Sequence, residues 1–169
     1  MGRYASSTTV SVERSKAELE SVVVRYGADN FATVTSTSQG RAGVMFEMYE
    51  RRVVFELPLP KLEDFEIRTD EVPAGSGKSA YSRTYKRSPQ KQRQVWEQAC
   101  RQKWRALVLA VKAKLEAVDS GITTFEEEFL AHIQLPDGTT VGKYMVPQIQ
   151  GAYENNTMPP LLPGVPGGG

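Results

Sequence analysis

A cluster of tyrosines and cations near the middle of the chain has the composition of a nucleic-acid-binding surface. Tyr81 and Tyr85 alternate with Arg83, and further cations precede and enter a predicted helix. Aromatic rings stack on bases, while Lys and Arg neutralise phosphates. We therefore predict contacts with DNA or RNA through eight residues: Tyr81, Arg83, Tyr85, Lys86, Arg87, Lys91, Arg101 and Arg105. A solvated segment leading into a charged helix has the same composition, so this second interpretation stays open.

The charges of the chain are unevenly distributed, although its net charge is only +1. Residues 86–120 contain 9 Lys or Arg against 3 Asp or Glu, whereas residues 121–169 contain 1 against 5. Two explanations fit this distribution. The two segments neutralise each other within the fold, or the basic one presents a positive face to a polyanion.

No complete catalytic motif is found in the sequence. The letters GSGKS at residues 75–79 resemble the end of a phosphate-binding loop, but Val72 stands where that loop needs its first glycine. His132 is the only histidine and Cys100 the only cysteine, which excludes zinc sites built from two histidines or from several thiolates. We therefore predict a binding protein with no catalytic residue, no metal site and no cofactor.

Three consecutive glutamates at residues 126–128 admit two interpretations. Thr123 and Glu126 fit a capping box at the start of a helix, whose first turn favours carboxylates. The alternative is a Mg²⁺ site for phosphodiester cleavage, with Asp137 or His132 nearby. Because consecutive helical residues point about 100° apart, at most two of the three glutamates reach one ion.

The longest predicted element is a helix over residues 90–120, which has to position the basic cluster. Apolar side chains recur along it at helical spacing and define a buried stripe: Trp96, Cys100, Trp104, Leu107, Val111, Leu115 and Val118. Ser88 is the expected N-cap with Pro89 in the first turn, and Gly121 is expected to end the helix. We interpret both tryptophans as core anchors, with base-stacking platforms as the alternative.

The first 60 residues predict a small antiparallel sheet and one helix. The β-branched segment 8–12 is expected to be a strand, and Ser15 with Glu18 fits a capping box for a helix over residues 16–26. Alternating apolar residues predict three further strands, at 31–37, 42–49 and 52–57. Residues 61–87 lack periodicity, which predicts a mobile loop.

The last third of the chain predicts short helices separated by turns. A helix is expected over residues 124–133, followed by a turn at 135–142. A short last helix is expected with Pro147 in its first turn and its end near Tyr153. Residues 158–169 are rich in Pro and Gly, which predicts an extended tail that lies on the domain or is recognised by a partner.

Together these elements predict an α+β fold: a small antiparallel sheet with an N-terminal helix, packed against a long C-terminal helix that is followed by shorter helices. The length fits one domain over residues 1–163. We find no signal peptide and no apolar run long enough to cross a membrane, and a single cysteine suits a reducing compartment. We therefore expect a soluble cytoplasmic protein with no membrane partner.

Several segments resemble a family of small uncharacterised proteins of tailed bacteriophages and prophages. They are KWRAL at 103–107, KAKLEAVDSGI at 112–122, TFEEEFLAHI at 124–133 and LPDGTTVG at 135–142, with RYGA at 25–28 and LPLP at 57–60. The similarity covers most of residues 8–163 and is weakest over 61–90. It implies a viral origin and action in the bacterial host cytoplasm, where such proteins commonly serve DNA replication and recombination or block host defences.

Three functions remain as hypotheses. The first is a non-enzymatic phage accessory protein that binds nucleic acid, in DNA replication or recombination. The second is a protein-binding module, such as an inhibitor or adaptor of a host defence protein, that uses residues 61–87 or the tail. The third is a metal-dependent nuclease. The partner is then nucleic acid or a host or phage protein, and the oligomeric state is left open.

Overall fold

The helices and strands of the chain form an α+β fold in the computed structural model, which describes residues 5–36, 38–73 and 80–157. In chain order the elements are α1 (Val12–Arg25), β1 (Asn30–Ser36), β2 (Arg41–Met48), β3 (Arg51–Pro58), a 3-10 helix (Leu62–Phe65), β4 (Ile67–Val72), β5 (Tyr81–Lys86), α2 (Pro89–Asp119), α3 (Phe125–Phe129), a second 3-10 helix (Leu130–His132) and α4 (Val141–Asn155). This order confirms the predicted fold class.

The strands β1, β2 and β3 form an antiparallel sheet in that order, and their bounds agree with the prediction to within one residue. Val44 and Phe46 of β2 are buried opposite Phe55 and Val53 of β3, so one face of the sheet lines the core. The connection between β2 and β3 lies at residues 49–50, one residue earlier than the sequence suggested. Alternating apolar side chains therefore define this sheet correctly.

The long helix α2 begins and ends where its capping residues predict. Ser88 Oγ accepts a hydrogen bond from the Lys91 backbone N–H (3.3 Å), and Pro89 occupies the first turn. The chain leaves the helix through Gly121, whose φ of +70° is the left-handed conformation that glycine adopts without strain.

The apolar stripe of α2 packs against α1 and the buried face of the sheet. Trp104 is only 1% exposed, and Cys100 is buried as predicted. Trp96 is half-buried, and its indole N–H donates to the carbonyl of Pro60 (2.8 Å). Trp104 therefore anchors the core and presents no ring to a base, while Trp96 fixes the chain that follows β3.

The N-terminal predictions are wrong in two respects. Segment 8–12 forms no strand, and Val12 is already the first residue of α1. The N-cap is Ser11, whose Oγ accepts from the Arg14 backbone N–H (3.1 Å), whereas Ser15 is fully buried inside the helix. Judged by the neighbouring residues alone, either serine could be the N-cap. Burial of the Ser15 side of α1 against the core decides in favour of the earlier start.

The prediction of a loop over residues 61–87 is also corrected, because most of this segment is regular. It contains the first 3-10 helix and the antiparallel hairpin β4–β5. Both strands are largely exposed on both faces, so they lack the apolar–polar alternation that indicates a strand. The GSGKS segment at 75–79 lies outside the described residues.

The predicted helix over 124–133 is shorter, since α3 gives way to the second 3-10 helix after Phe129. Its capping box is formed by Thr124 and Glu127, one residue later than predicted. The buried positions Phe125 and Phe129 are confirmed. The turn that follows is confirmed as well, with Asp137 Oδ1 accepting from the Thr139 N–H (2.9 Å).

The last helix is longer than predicted. α4 begins at Val141, behind the N-cap Thr140, and Pro147 lies in its interior instead of its first turn. The N-cap Thr140, and not Pro147, therefore marks the start of this helix. The predicted tail at 158–169 lies outside the described residues. None of the helices in the described part of the chain combines the length and apolarity needed to span a membrane.

Candidate nucleic-acid interface

The β4–β5 hairpin carries the predicted tyrosine–arginine cluster. Its antiparallel register runs from Ile67 opposite Lys86 to Val72 opposite Tyr81. Successive side chains of a strand point to opposite faces, so alternate residues share one side of the ribbon. All of β5 is exposed, and this side therefore faces solvent. We call it the tyrosine–arginine face; its members are Arg68, Asp70, Val72, Tyr81, Arg83 and Tyr85.

Tyr85 lies between two arginines on this face. The guanidinium carbons of Arg68 and Arg83 are each 6.0 Å from the centroid of its ring. Contacts of this kind are attractive and keep the ring in place. Tyr85 is 39% exposed and Tyr81, nearer the tip, is 58% exposed. One side of the ribbon thus carries two tyrosine rings and two guanidinium groups.

One carboxylate balances part of this positive charge. Arg68 Nε donates to Asp70 Oδ1 (2.5 Å), and the Tyr85 hydroxyl donates to Asp70 Oδ2 (3.0 Å). The hydrogen bond from Arg68 lowers the pKa of Asp70, and the same contact raises the pKa of Arg68. Arg83 has no acidic partner within the described residues, so it is the free cation of the face.

Lys86 lies on the opposite face of the ribbon. Its ammonium group forms an ion pair with the carboxylate of Glu66, at the base of the hairpin. Beside it the hydroxyl groups of Thr69 and Thr84 are 3.0 Å apart and share a hydrogen bond. The sequence placed Lys86 next to Tyr85, but the alternation of the strand separates them.

Arg87 holds the hairpin on the body of the fold. Its Nη1 donates to the carbonyls of Phe65 and Ile67, both at 2.9 Å, and its backbone N–H donates to the Glu66 carbonyl (2.8 Å). Gln92 Nε2 of α2 adds a bond to the Leu62 carbonyl (2.9 Å). The Arg87 guanidinium group is therefore occupied by structural contacts.

The remaining predicted residues lie along α2 and do not join the ribbon in one surface. Lys91 is exposed in the first turn and has no side-chain partner in the described part of the chain. Arg101 donates to Gln98 Oε1 (2.8 and 2.9 Å), and Arg105 forms a 2.5 Å ion pair with Glu18 of α1. At 1.5 Å per residue, the two arginines lie roughly 18 and 24 Å from the start of the helix.

The structure thus brings Tyr81, Arg83 and Tyr85 together on one face of the ribbon. Lys86 lies on the other face, and Lys91 and Arg101 lie along α2. Arg87 and Arg105 are bonded within the fold and are not part of this face. The structure also adds Arg68, which sequence reasoning missed. Arg68 could have been found from a second alternating segment, Arg-x-Asp-x-Val at 68–72. As a strand, this segment pairs with Tyr-x-Arg-x-Tyr at 81–85 and places Arg68 on the same face.

Two of the three glutamates at residues 126–128 are bonded within the fold. Glu127 accepts from the Thr124 N–H (2.9 Å), which lowers the pKa of its carboxyl, and Glu128 Oε2 accepts from Lys114 Nζ (3.0 Å). Among the described residues no group of three or more His, Cys, Asp or Glu side chains is placed to hold a metal ion. The Glu127 contact supports the capping interpretation, whereas Glu128 pairs with Lys114 of α2.

His132 is half-buried and packs against the sheet. Its ring stacks on Phe55 at 4.0 Å between centroids. Burial lowers the pKa of the imidazole, and the nearby Lys114 acts in the same direction. The hydrogen bond with the Val54 backbone opposes both. His132 therefore contributes to packing through its ring and forms a hydrogen bond with the backbone.

A polar cleft of about 670 Å³ lies between the β2–β3 turn and the turn at 135–138, away from the hairpin's residues. Glu47 in this cleft accepts from Arg52 Nη2 (2.6 Å) and Asn30 Nδ2 (2.6 Å). The hydrogen bond from Arg52 is the main reason that the pKa of Glu47 is lowered. This carboxylate is therefore satisfied within the fold and offers little to a ligand.

No family model, curated protein or solved structure matches the chain. The resemblance to phage proteins therefore stays a prediction, and the geometry of the ribbon is the basis on which a function can be assigned.

Proposed function

We propose that the chain is a non-enzymatic accessory protein that binds single-stranded nucleic acid through the tyrosine–arginine face. The observation that carries this proposal is the placement of Tyr81, Arg83 and Tyr85 on one solvent-facing side of a ribbon, with Arg68 opposite Tyr85. Unpaired bases expose faces on which aromatic side chains stack, and a cation between two stacking sites neutralises the connecting phosphates.

The spacing of the two tyrosines suits this role. Four residues along a strand separate Tyr81 from Tyr85, or about 13 Å. That distance leaves room for Arg83 and for the backbone that joins two splayed bases. Stacking recognises the face that all bases share, so we expect weak sequence preference.

The charge of the face sets the expected salt dependence. Two arginines against Asp70 leave a net charge of +1 on the face. With one or two phosphates neutralised, the slope of log K against log salt is expected to be about −0.7 to −1.4 for a single strand. Stacking should then contribute more to affinity than charge does.

The test is fluorescence anisotropy with labelled single-stranded DNA, single-stranded RNA and duplex DNA, at two salt concentrations. Tyr81→Ala and Tyr85→Ala should each weaken single-strand binding about 5- to 150-fold, the equivalent of one lost stacking contact. Tyr85→Phe keeps the ring and loses only the hydroxyl contact with Asp70, so it should bind nearly as well as the wild type.

Controls come from the opposite face of the same ribbon. Ser82→Ala and Thr84→Ala change exposed residues of β5 that point away from the tyrosines, and both should leave binding unchanged. Arg83→Gln should reduce the salt slope by about 0.7. Equal losses on both faces, tighter binding of the duplex, or no binding at micromolar protein would contradict the proposal.

The same face also favours a second candidate function, a protein-binding module such as an inhibitor or adaptor of a host protein. Tyrosine and arginine are enriched among the residues that dominate protein interfaces. A partner captured by the wild type after nuclease treatment, and lost in the Tyr81→Ala and Tyr85→Ala double variant, would favour this function. For the first function, nucleic-acid binding, the resemblance to phage proteins implies a role in DNA replication or recombination.

A further inference from the structure

Asp70 is the single acidic member of the tyrosine–arginine face, and it lies beside the more open of the two tyrosine rings. Tyr85 is held by its hydroxyl contact with Asp70 and by the two guanidinium groups near its ring. Tyr81 is 58% exposed, and its side chain has no ring contact or hydrogen bond within the described residues. Tyr81 is therefore the ring on which a base can stack without displacing a contact.

The strand register places Asp70 next to that stacking ring. Tyr81 is directly opposite Val72, and Asp70 precedes Val72 by two residues, on the same side of β4. Diagonal neighbours of this kind in an antiparallel pair are about 7–8 Å apart, within reach of a long or flat group. A base that stacks on Tyr81 and extends over Val72 therefore turns one edge toward the Asp70 carboxylate.

The Asp70 carboxylate keeps acceptor capacity for such an edge. Its Oδ1 accepts from Arg68 and its Oδ2 accepts from Tyr85, so the described contacts use one position on each oxygen. An ionised carboxylate offers about four acceptor positions. The side chain is 37% exposed. Because the hydrogen bond from Arg68 lowers the pKa of Asp70, the group is ionised at neutral pH and only accepts.

We propose that Asp70 gives the tyrosine–arginine face a preference for guanine, by accepting hydrogen bonds from N1–H and N2–H of a base stacked on Tyr81. This inference rests on the proposed function, since it requires a single strand on this face. Guanine alone among the bases presents two adjacent N–H donors on its Watson–Crick edge, which match the two oxygens of a carboxylate. Adenine and cytosine have an acceptor beside their amino group, and thymine and uracil have one N–H between two carbonyls. A carboxylate repels those acceptors.

This contact adds to stacking and does not replace it. The Tyr81 ring stacks with every base, whereas the Asp70 contact distinguishes guanine from the others. Arg83 lies on the same strand as Tyr81 and has no acidic partner in the described chain, so it contacts the phosphates. A good bidentate contact discriminates between bases by about 5- to 150-fold. Because Asp70 is partly exposed to water, we expect the lower end of that range, about 5- to 10-fold.

Fluorescence anisotropy with labelled DNA strands of about 12 nucleotides tests the proposal. Each strand carries the tested base at every third position and thymine elsewhere, which avoids runs of guanine. Guanine should bind about 5- to 10-fold more tightly than adenine, cytosine or thymine. Hypoxanthine, which lacks the N2 amino group, should lose most of this gain. 7-Deazaguanine keeps N1–H and N2–H but lacks N7, so it should bind as guanine does.

Two substitutions on β4 separate base recognition from general binding. Asp70→Asn replaces one acceptor oxygen by an amide donor, so the guanine preference should disappear. Its binding to the thymine strand should tighten, because Arg68 is freed for a phosphate and the salt slope steepens by about 0.7. Glu71→Gln is the matched control, since it removes the same charge from the opposite, exposed face and should keep the guanine preference. Far-ultraviolet circular dichroism checks that both variants remain folded.

The possible outcomes separate this inference from the function on which it rests. Equal binding of the guanine, hypoxanthine and thymine strands overturns the guanine preference and leaves single-strand binding standing. A preference that survives Asp70→Asn, or that Glu71→Gln also abolishes, overturns the assignment to Asp70. A preference lost with 7-deazaguanine means that an arginine reads N7, and it overturns the assignment as well. No binding of any strand at micromolar wild-type protein overturns the proposed function, and this inference with it.

Discussion

Replacing Ser15 by alanine should stabilise the protein, although Ser15 resembles a helix cap in the sequence. The residue is fully buried in the second turn of α1, and its hydroxyl has no hydrogen-bond partner among the described residues. A hydroxyl group removed from water without a partner destabilises the folded state. Ser15→Ala removes that group and keeps the backbone of the helix.

The magnitude follows from three terms. An unsatisfied buried hydroxyl costs about 1–3 kcal/mol, and alanine gains roughly 0.5 kcal/mol over serine in a helix interior. The space left by one oxygen, on the order of 10 Å³, costs about 0.2 kcal/mol. The net free energy of unfolding should therefore rise by roughly 1–3 kcal/mol, which raises Tm by about 2–4 °C per kcal/mol for a chain of this size.

The assay is urea unfolding of the wild type and two serine variants, four residues apart in the same region. Ser11→Ala removes the observed N-cap, whose Oγ accepts from the Arg14 N–H at 3.1 Å, and should cost about 1 kcal/mol. Ser15→Ala should shift the midpoint in the opposite direction with an unchanged m value. If Ser15→Ala destabilises and Ser11→Ala does not, the helix starts at Ser15, and both the cap at Ser11 and the unsatisfied hydroxyl of Ser15 are refuted.

Two further predictions concern side chains that pack on the sheet. Phe129→Ala should cost about 3–5 kcal/mol in urea unfolding, because Phe129 is fully buried and its ring meets Phe46 edge-on at 5.8 Å; a loss below about 1 kcal/mol would contradict its place in the core. His132 should make stability fall as pH drops below about 6.5, since its folded pKa is lowered and the unfolded chain takes up the proton first. His132→Phe keeps a ring on Phe55 and should lose less stability than the wild type between pH 7.5 and 5.5; equal losses would show that this imidazole does not titrate as described.

The parts of the fold that were correctly predicted are those whose apolar residues recur with a clear period. In β2 and β3 every second residue is buried, and along α2 the stripe through Trp104 and Leu115 follows the helical period. In these elements the local sequence preference and the burial of apolar side chains favour the same secondary structure. Cap signals at Ser88 and Gly121 then set the ends of α2 to within one residue.

The errors occur where local preference and tertiary contacts disagree. Segment 8–12 has β-branched residues that suit a strand, yet no strand of the sheet is there to pair with it. The β4–β5 hairpin was missed in the sequence for the opposite reason. Its strands have partners, but both faces are solvated, so no apolar alternation marks them. Pairing between distant segments is not visible in the spacing of either one.

The candidate site, too, could be predicted only in part from the sequence. The cluster of Tyr81, Arg83 and Tyr85 could be found from composition alone, because alternate residues of one strand share a face without reference to the rest of the fold. The roles of Arg87 and Arg105 could not. Each is bonded to a segment more than 19 residues away in the chain, and only the assembled structure shows that these guanidinium groups are occupied.

The two ends of the ribbon lie side by side where they join the scaffold. The Arg87 backbone N–H donates to the Glu66 carbonyl (2.8 Å), and the Lys86 ammonium group pairs with the Glu66 carboxylate. Ribbon residues contribute nothing to the buried cluster of the core. Residues 67–86 could therefore be replaced by a tight turn, or by a hairpin of another length and sequence. The rest of the fold should keep its structure. In this architecture the sequence of the exposed ribbon can change without repacking of the core that supports it.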